Sequence, residues 1–227
     1  GSVNDAPTTS GGSATPVEDA THTFTTTASD WGFADVDSGD AMTSIDFTSL
    51  PATGTLMYSG SAVTEGQDIA IADLGGVTYV PVANANGAVT FTFKVFDGDA
   101  LSADVGTYTM TYSAANDVPT WTTEAADVTA SEDVAKAIAA NVIADVDDSS
   151  LASMIITSTE GGTFSLASVA DLTFAANSGD GTADNTMTFS GTIANINTAI
   201  ASMTWTSQLN NNNNAVLTLI ANDGDGN

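Results

Sequence analysis

Apolar and small polar residues alternate along most of the chain, the two-residue period of half-buried strands. Val89, Phe91, Phe93 and Val95 interleave with Thr90, Thr92 and Lys94, so the four apolar residues share one face. Tyr108, Met110 and Tyr112 alternate with Thr107, Thr109 and Thr111, and Leu56 pairs with Tyr58. In the second half Phe164 and Leu166, Met187 and Phe189, and Leu217 and Leu219 repeat the pattern. Turn-forming runs separate these stretches: Tyr58-Ser59-Gly60, Asn84-Ala85-Asn86-Gly87 and Asn177-Ser178-Gly179-Asp180-Gly181. Asn210 to Asn214 reads as a loop. One stretch breaks the period. From Thr192 to Ser202, Ile193, Ile196 and Ile200 fall on one helical face, which predicts a short helix. The expected class is all-β, as Greek-key sandwiches with that helix in the second half.

The pattern also repeats at long range. Asn4-Asp5-Ala6-Pro7 returns as Asn116-Asp117-Val118-Pro119, 112 residues later. Glu18-Asp19, Asp35-Val36-Asp37 and Asp97-Gly98-Asp99 return, in order, as Glu132-Asp133, Asp145-Val146-Asp147 and Asp223-Gly224-Asp225. Preserved order with drifting spacing marks a tandem pair of related domains. The division expected is residues 1–7 as a tag remnant and orphan linker, 8–115 as a first sandwich, 116–119 as a linker, and 120–227 as a second. Gly1-Ser2 looks like a vector-derived scar, and the chain reads as a piece of a longer array. The first half runs through a further strand, 106–114, after Asp97. The second has no counterpart after Asp223, so it is expected to lack its last strand.

Composition narrows the chemistry. The 227 residues carry 28 acids against two lysines and no arginine, a net charge of -26. Such a chain repels nucleic acid and anionic membranes and attracts cations. No apolar run is long enough for a membrane span. Cysteine is absent, which excludes disulfides and thiolate metal sites. Apolar content of 42% is enough for cores. The acids are 23 Asp and 5 Glu. Short, stiff Asp side chains suit turns and metals, and here they cluster, whereas salt adaptation would spread them.

Calcium binds six to eight oxygens at about 2.3–2.6 Å, from carboxylates, amide carbonyls, backbone and water. Alternate carboxylates of Asp-x-Asp on an irregular loop can curl toward one cation. Asn-Asp before Pro supplies an amide oxygen and a carboxylate on a segment whose proline removes backbone freedom. Each motif alone is commonly a turn, a linker or a cap. Four recurring twice in one order point to calcium.

The same residues carry a family resemblance. Asn4-Asp5-Ala6-Pro7, Glu18-Asp19, Asp35-Val36-Asp37, Leu50-Pro51-Ala52-Thr53-Gly54-Thr55-Leu56, Tyr79-Val80-Pro81 and Phe91-Thr92-Phe93-Lys94-Val95-Phe96-Asp97-Gly98, followed by Asn116-Asp117-Val118-Pro119, resemble bacterial cadherin-like tandem repeats. Such repeats occur in large surface adhesins, including the RTX type, linked to cell adhesion and biofilm. The second half resembles a sister repeat through Glu132-Asp133, Asp145-Val146-Asp147, Gly161-Gly162-Thr163-Phe164-Ser165-Leu166, Gly191-Thr192-Ile193 to Ala201, and Ala221-Asn222-Asp223-Gly224. The resemblance implies an extracellular, cell-surface spacer with Ca2+ at the interdomain junction and neighbouring repeats as partners. It implies a central site of Glu18, Asp19, Asn116, Asp117, Asp145, Asp147 and Asp223. Asn4, Asp5, Asp35, Asp37 and Asp97 would form half of a second site, and Glu132 and Asp133 would serve a third. The linker lacks the longer acidic run of animal cadherins, and no Asp-Arg-Glu occurs, so about one or two ions per junction are implied.

Catalysis is not expected. His22 is the single histidine, and no serine sits in a nucleophile motif. The competing expectation is a carbohydrate- or surface-binding module, since tryptophans stack on sugars. Trp205 alternates with Met203 as core residues do, and Trp121 is placed to pack near the linker. Trp31, between Asp30 and Gly32, is the one candidate left for a ligand.

Overall fold

The computed structural model describes residues 3–124, 127, 129–138 and 141–225. Gly1-Ser2, expected as a scar, lies outside the described residues. The chain divides into two compact units, Gly1–Ala115 and Asn116–Asn227. Both are all-β with the Ig-like sandwich architecture expected from the alternation.

The first unit contains β1 (Thr8–Thr9), β2 (Gly12–Ala14), β3 (His22–Thr23), β4 (Phe33–Ala34), β5 (Ser44–Ser49), β6 (Thr55–Tyr58), β7 (Ser61–Ala62), β8 (Asp68–Ala70), β9 (Val77–Val80), β10 (Gly87–Phe96) and β11 (Gly106–Tyr112). A five-stranded sheet runs β2-β11-β10-β5-β8, a four-stranded sheet runs β3-β9-β6-β7, and β1 pairs with β4. β10 is the centre of the larger sheet, held by β5 on one side and β11 on the other. Alternation decides what it buries: Phe91, Phe93 and Val95 enter the core while Thr92 and Lys94 stay on the outer face. Ile45 and Phe47 of β5 join them, and Leu56, Val77 and Tyr79 come from the other sheet.

The second unit contains β12 (Thr120–Thr123), β13 (Lys136–Ala137), β14 (Val142–Ala144), β15 (Ser150–Ser158), β16 (Thr163–Ser165), β17 (Thr173–Phe174), β18 (Met187–Thr192), α1 (Ile193–Ala201), β19 (Thr204–Thr206) and β20 (Leu217–Asn222). Its sheets run β17-β18-β15-β20 and β13-β19-β16, with β12 paired to β14. The helix falls where the 3.6 period placed it. Thr192 caps it, Oγ1 accepting from Asn195 N at 3.2 Å, and Ile196, Ala199 and Ile200 are buried. Asn197 on its other flank bonds Ile143 twice, accepting from N and donating to O, and so ties α1 to β14. β20 lies at the margin of its sheet, with β15 as its one partner among the described residues.

Candidate acidic cation sites

In the first unit, the residues singled out by sequence converge through backbone turns. Asp35 Oδ1 accepts from Asp37 N at 2.8 Å, a local bond that curls Asp35-Val36-Asp37 so that both carboxylates turn the same way. Val36 between them points to water and is 81% exposed. Asp37 Oδ2 accepts from Asp5 N at 2.7 Å, and Asn4 Nδ2 donates to Asp97 Oδ2 at 3.3 Å. Asp97 Oδ1 accepts from Asp99 N and Ala100 N at 2.6 and 2.7 Å. That turn needs Gly98, whose φ of 115° lies where side chains are strained.

The second unit repeats most of this wiring and adds one bond, Asp148 N donating to Asp145 Oδ1 at 2.8 Å. Asp145 Oδ1 accepts from Asp147 N at 2.9 Å, and Val146 is 62% exposed. Asp147 Oδ2 accepts from Asp117 N at 2.7 Å, and Asn116 Nδ2 donates to Asp223 Oδ2 at 2.9 Å. Asp223 Oδ1 accepts from Asp225 N at 2.9 Å around Gly224, φ 105°. In each unit, therefore, the Asn-Asp segment that precedes the first strands is fastened to that unit's own aspartates.

The charge pattern repeats too. Hydrogen bonds hold two carboxylates below the usual range: Asp97, chiefly through Ala100 N, and Asp223, chiefly through Asn116. Two others sit above it. Partial desolvation and then the charges of Asp35, Asp37, Asp97 and Asp99 raise Asp40. The same desolvation, then Asp145, Asp225, Asp223 and Asp147, raise Asp148. Like charges gathered this closely raise each other's cost of ionisation.

The donor set fits a hard cation. Asp35, Asp37 and Asp40 each bring one carboxylate oxygen within 4.8 Å of the others, and so do Asp145, Asp148 and Asp223. Two ligands on opposite sides of a calcium ion are about 4.8 Å apart. Asp35 Oδ2 and Asp145 Oδ2 are buried from solvent and accept no hydrogen bond among the described residues. A buried carboxylate oxygen with no donor is costly unless something positive meets it. All donors are oxygen, which suits calcium and not zinc.

Other expected ligands sit differently. Glu18 is 4% exposed, its Oε1 accepts from Ala115 N at 2.7 Å, and its Oε2 is buried with no hydrogen bond among the described residues. Asp19, at φ 62°, accepts from Asn84 N at 2.8 Å and pins a loop. Glu132 and Asp133 are exposed and join neither acidic group, and Asp133 N donates to Ser207 Oγ. Sequence reasoning missed Asp40 and Asp148. Their signal was available in the runs Asp35-Val36-Asp37-Ser38-Gly39-Asp40 and Asp145-Val146-Asp147-Asp148, but the third acid falls at different spacings.

Trp31 is corrected. It is 0% exposed and closes a short 3-10 turn, Ala28–Trp31, that Gly32 ends at φ 65°. Its Nε1 donates to Thr25 O, and Phe24, Phe93 and Tyr108 pack around its ring at 5.5, 5.1 and 5.0 Å. No face of it is free for a sugar. Trp205 is buried, as expected of a core residue, with Nε1 donating to Gly161 O. Trp121 packs partly buried on the second core. Above Trp31 a cleft of about 620 Å³ is lined by Ser10, Gly12, His22, Thr25, Asp30 and Tyr108 and shares no residue with the acidic groups. Burial lowers the pKa of His22, and its Nε2 meets no hydroxyl or carboxylate among the described residues.

Residues 4–112 match the family model described as bacterial Ig domain. The first unit is thus similar to that domain over nearly its whole length. Such domains are typically non-catalytic and occur in surface or extracellular proteins. No curated protein matches the chain at a significant level. Among solved structures, the chain is similar to an endo-fucoidan hydrolase from glycoside hydrolase family 107, MfFcnA4, at 16% identity and TM-score 0.32. That alignment covers 96% of this chain and 28% of the hydrolase chain, so this chain spans little more than a quarter of its length. The titin domains Z1Z2, solved in complex with telethonin, align over 100% of both chains at 11% identity and TM-score 0.28. Likeness at those scores carries nothing about what either unit binds. No helix among the described residues is long and apolar enough to cross a membrane.

Proposed function

We propose that the two units are calcium-stiffened extender repeats of an extracellular bacterial adhesin. Calcium is held where the Asn-Asp linkers meet the aspartates of the unit that follows. One observation carries the reading: two units of different core sequence build closely similar carboxylate wiring, and each leaves one buried aspartate oxygen, Asp35 Oδ2 or Asp145 Oδ2, without a donor among the described residues. A solvated acidic surface has no reason to repeat these bonds in order.

In this reading Asp145, Asp147, Asp148, Asp223, Asn116 and Asp117 supply oxygens to the calcium of the second linker. Asn4, Asp5, Asp35, Asp37, Asp40 and Asp97 do the same for the first linker. Calcium supplies positive charge there, and the chain's residues do the rest. The Asx turns preset the carboxylates, Gly98 and Gly224 permit the tight loop, and Pro7 and Pro119 limit linker freedom. Without the ion the carboxylates repel and the linker flexes; with it they share one charge and the units hold in line. Extracellular modules bind calcium at about 10⁻⁴–10⁻³ M, a range that seawater or tissue fluid saturates. The stacking alternative loses its one candidate, because Trp31 is enclosed in the core.

Small-angle scattering of the chelator-treated chain, with and without calcium, tests the function. Calcium should narrow the distribution of radii of gyration, and Asp117→Ala should abolish the narrowing while both units stay folded. Unchanged scattering on calcium addition would end the extender reading.

A further inference from the structure

The cleft above Trp31 shares no residue with either acidic group, and its chemistry is different. It opens between the edge strands of the first unit's two larger sheets, β2 of one and β3 of the other, beside the Ala28–Trp31 turn. Tyr108 forms part of its wall and is 4% exposed. The Tyr108 hydroxyl makes no hydrogen bond among the described residues, whereas the buried Tyr79 of the same core donates its own to Thr53 O at 2.9 Å. A buried phenol ordinarily finds a partner. Gly12 lets β2 lie against this ring: a Cβ there would stand 2.6 Å from Tyr108 Cε2 and 2.3 Å from Asp30 O. Asp30 Oδ2 accepts from Thr25 Oγ1 at 2.7 Å, and its other carboxylate oxygen makes no hydrogen bond among the described residues. The ring of His22 stands 6.4 Å from that of Tyr108. Burial lowers its pKa, so the imidazole is neutral at pH 7.

These groups select a ligand by what they can exchange. The hydroxyls of Ser10, Ser13, Thr25, Ser29 and Tyr108 each donate or accept, and a neutral imidazole does one at each nitrogen. Asp30 only accepts. Neither lysine of the chain lines the cleft, and the net charge is -26, so an anion is repelled. An ammonium or guanidinium offers donors alone; it would meet Asp30 and leave the donor side of every hydroxyl unmatched. Adjacent hydroxyls that both donate and accept match the whole set. We propose that this cleft binds a neutral sugar unit, with Asp30 accepting from a vicinal pair of its hydroxyls and the Tyr108 hydroxyl bonded to another. The volume, about 620 Å³, falls within the range of about 300–1,000 Å³ of small-ligand sites. Recognition is by hydrogen bonds along the ring edges of Tyr108 and His22, with no tryptophan stacking. A repeat so equipped would hold a polysaccharide in addition to spanning distance.

His22 is the single histidine, so its ring protons give the cleft its own resolved signals in proton NMR. The full chain is titrated with the methyl glycosides of glucose, galactose, mannose, xylose and fucose to about 20 mM, enough to detect a Kd of about 1 mM. At least one should shift the His22 signals saturably. Glucuronate, similar in size but anionic, should not. Tyr108→Phe keeps the ring in the core and should weaken binding about threefold to tenfold, the loss of one hydrogen bond. Asp30→Ala, at an exposed position, should weaken it about tenfold or more, the loss of a charged acceptor. Both variants should keep the wild-type response to calcium, which separates this site from the extender role. No shift with any of these glycosides would overturn the proposal, as would a shift that glucuronate reproduces or that never saturates. Unchanged affinity in Asp30→Ala would also overturn it, since the sugar would then sit elsewhere.

Discussion

β10 and β20 occupy one position in one plan, yet among the described residues the first is flanked by a strand on each side and the second on one side. Phe93 is shielded by strands on both sides, whereas Leu219 has β15 alone among the described residues. The acidic turns that follow these strands do not share the difference: Asp97 and Asp223 each accept from the linker asparagine and from the aspartate two residues on. Core completeness and the polar wiring are therefore separable. The wiring is local, built from Asx turns, two glycines and an Asn-Asp segment, so it survives a change in the sheet beside it. The core is not local, and each of its strands depends on what lies alongside.

The largest expected effect tests that contrast directly. Phe93→Ala removes a fully enclosed ring and should cost the first unit about 4 kcal/mol, while Leu219→Ala, half-buried at an open edge, should cost the second about 2 kcal/mol. Calorimetry with residue-resolved exchange would assign each loss to its unit. Equal costs would mean that β20 is as well covered as β10.

Calcium comes next. At roughly 10 mM, the affinity typical of extracellular modules predicts about 1.4–2.7 kcal/mol of stabilisation per ion, or roughly 5–10 °C in Tm. Asp145→Asn should remove most of the gain in the second unit and leave the first unaffected. Asp35→Asn should do the reverse. A variant that lowers both responses equally would show that the two sets of aspartates are not independent.

The smallest effects come from pH, and they oppose each other. Asp97 and Asp223 are held below their ordinary range. Their contribution is complete above the unfolded carboxylate pKa and is lost as pH falls through the lowered folded value. Asp40 and Asp148 are raised. Theirs is complete below the unfolded pKa and is lost as pH rises through the raised folded value. In chelator, Asp148→Asn should therefore slightly stabilise the second unit at neutral pH, and Asp223→Asn should destabilise it. With calcium present, both should weaken binding. A destabilising Asp148→Asn in chelator would contradict the charge crowding.

Much of this was legible in the sequence, for physical reasons that differ by residue. Alternation exposed the strands because burial of one face imposes a two-residue period, and the isoleucines of α1 stood out because they break it. The acidic positions were legible because the Asx turn and the glycine turn each bind near neighbours. What the sequence concealed depends on distant chain. Trp31 sits among polar neighbours on a single 3-10 turn, too short to show a period, and its enclosure comes from Phe24, Phe93 and Tyr108. Asp40 and Asp148 escaped because loop length between acids differs while their place in space does not. Asp19 shared a motif with Glu18 but turns away, its left-handed backbone aiming the carboxylate at Asn84.

The central claim is that each acidic group holds calcium. Anomalous diffraction from crystals of the chain grown in calcium measures it most directly. The expected result is a peak about 2.4 Å from carboxylate oxygens of Asp145, Asp148 and Asp223, and a second beside Asp35, Asp37 and Asp40. Crystals soaked in excess calcium with no peak at either group would contradict the claim.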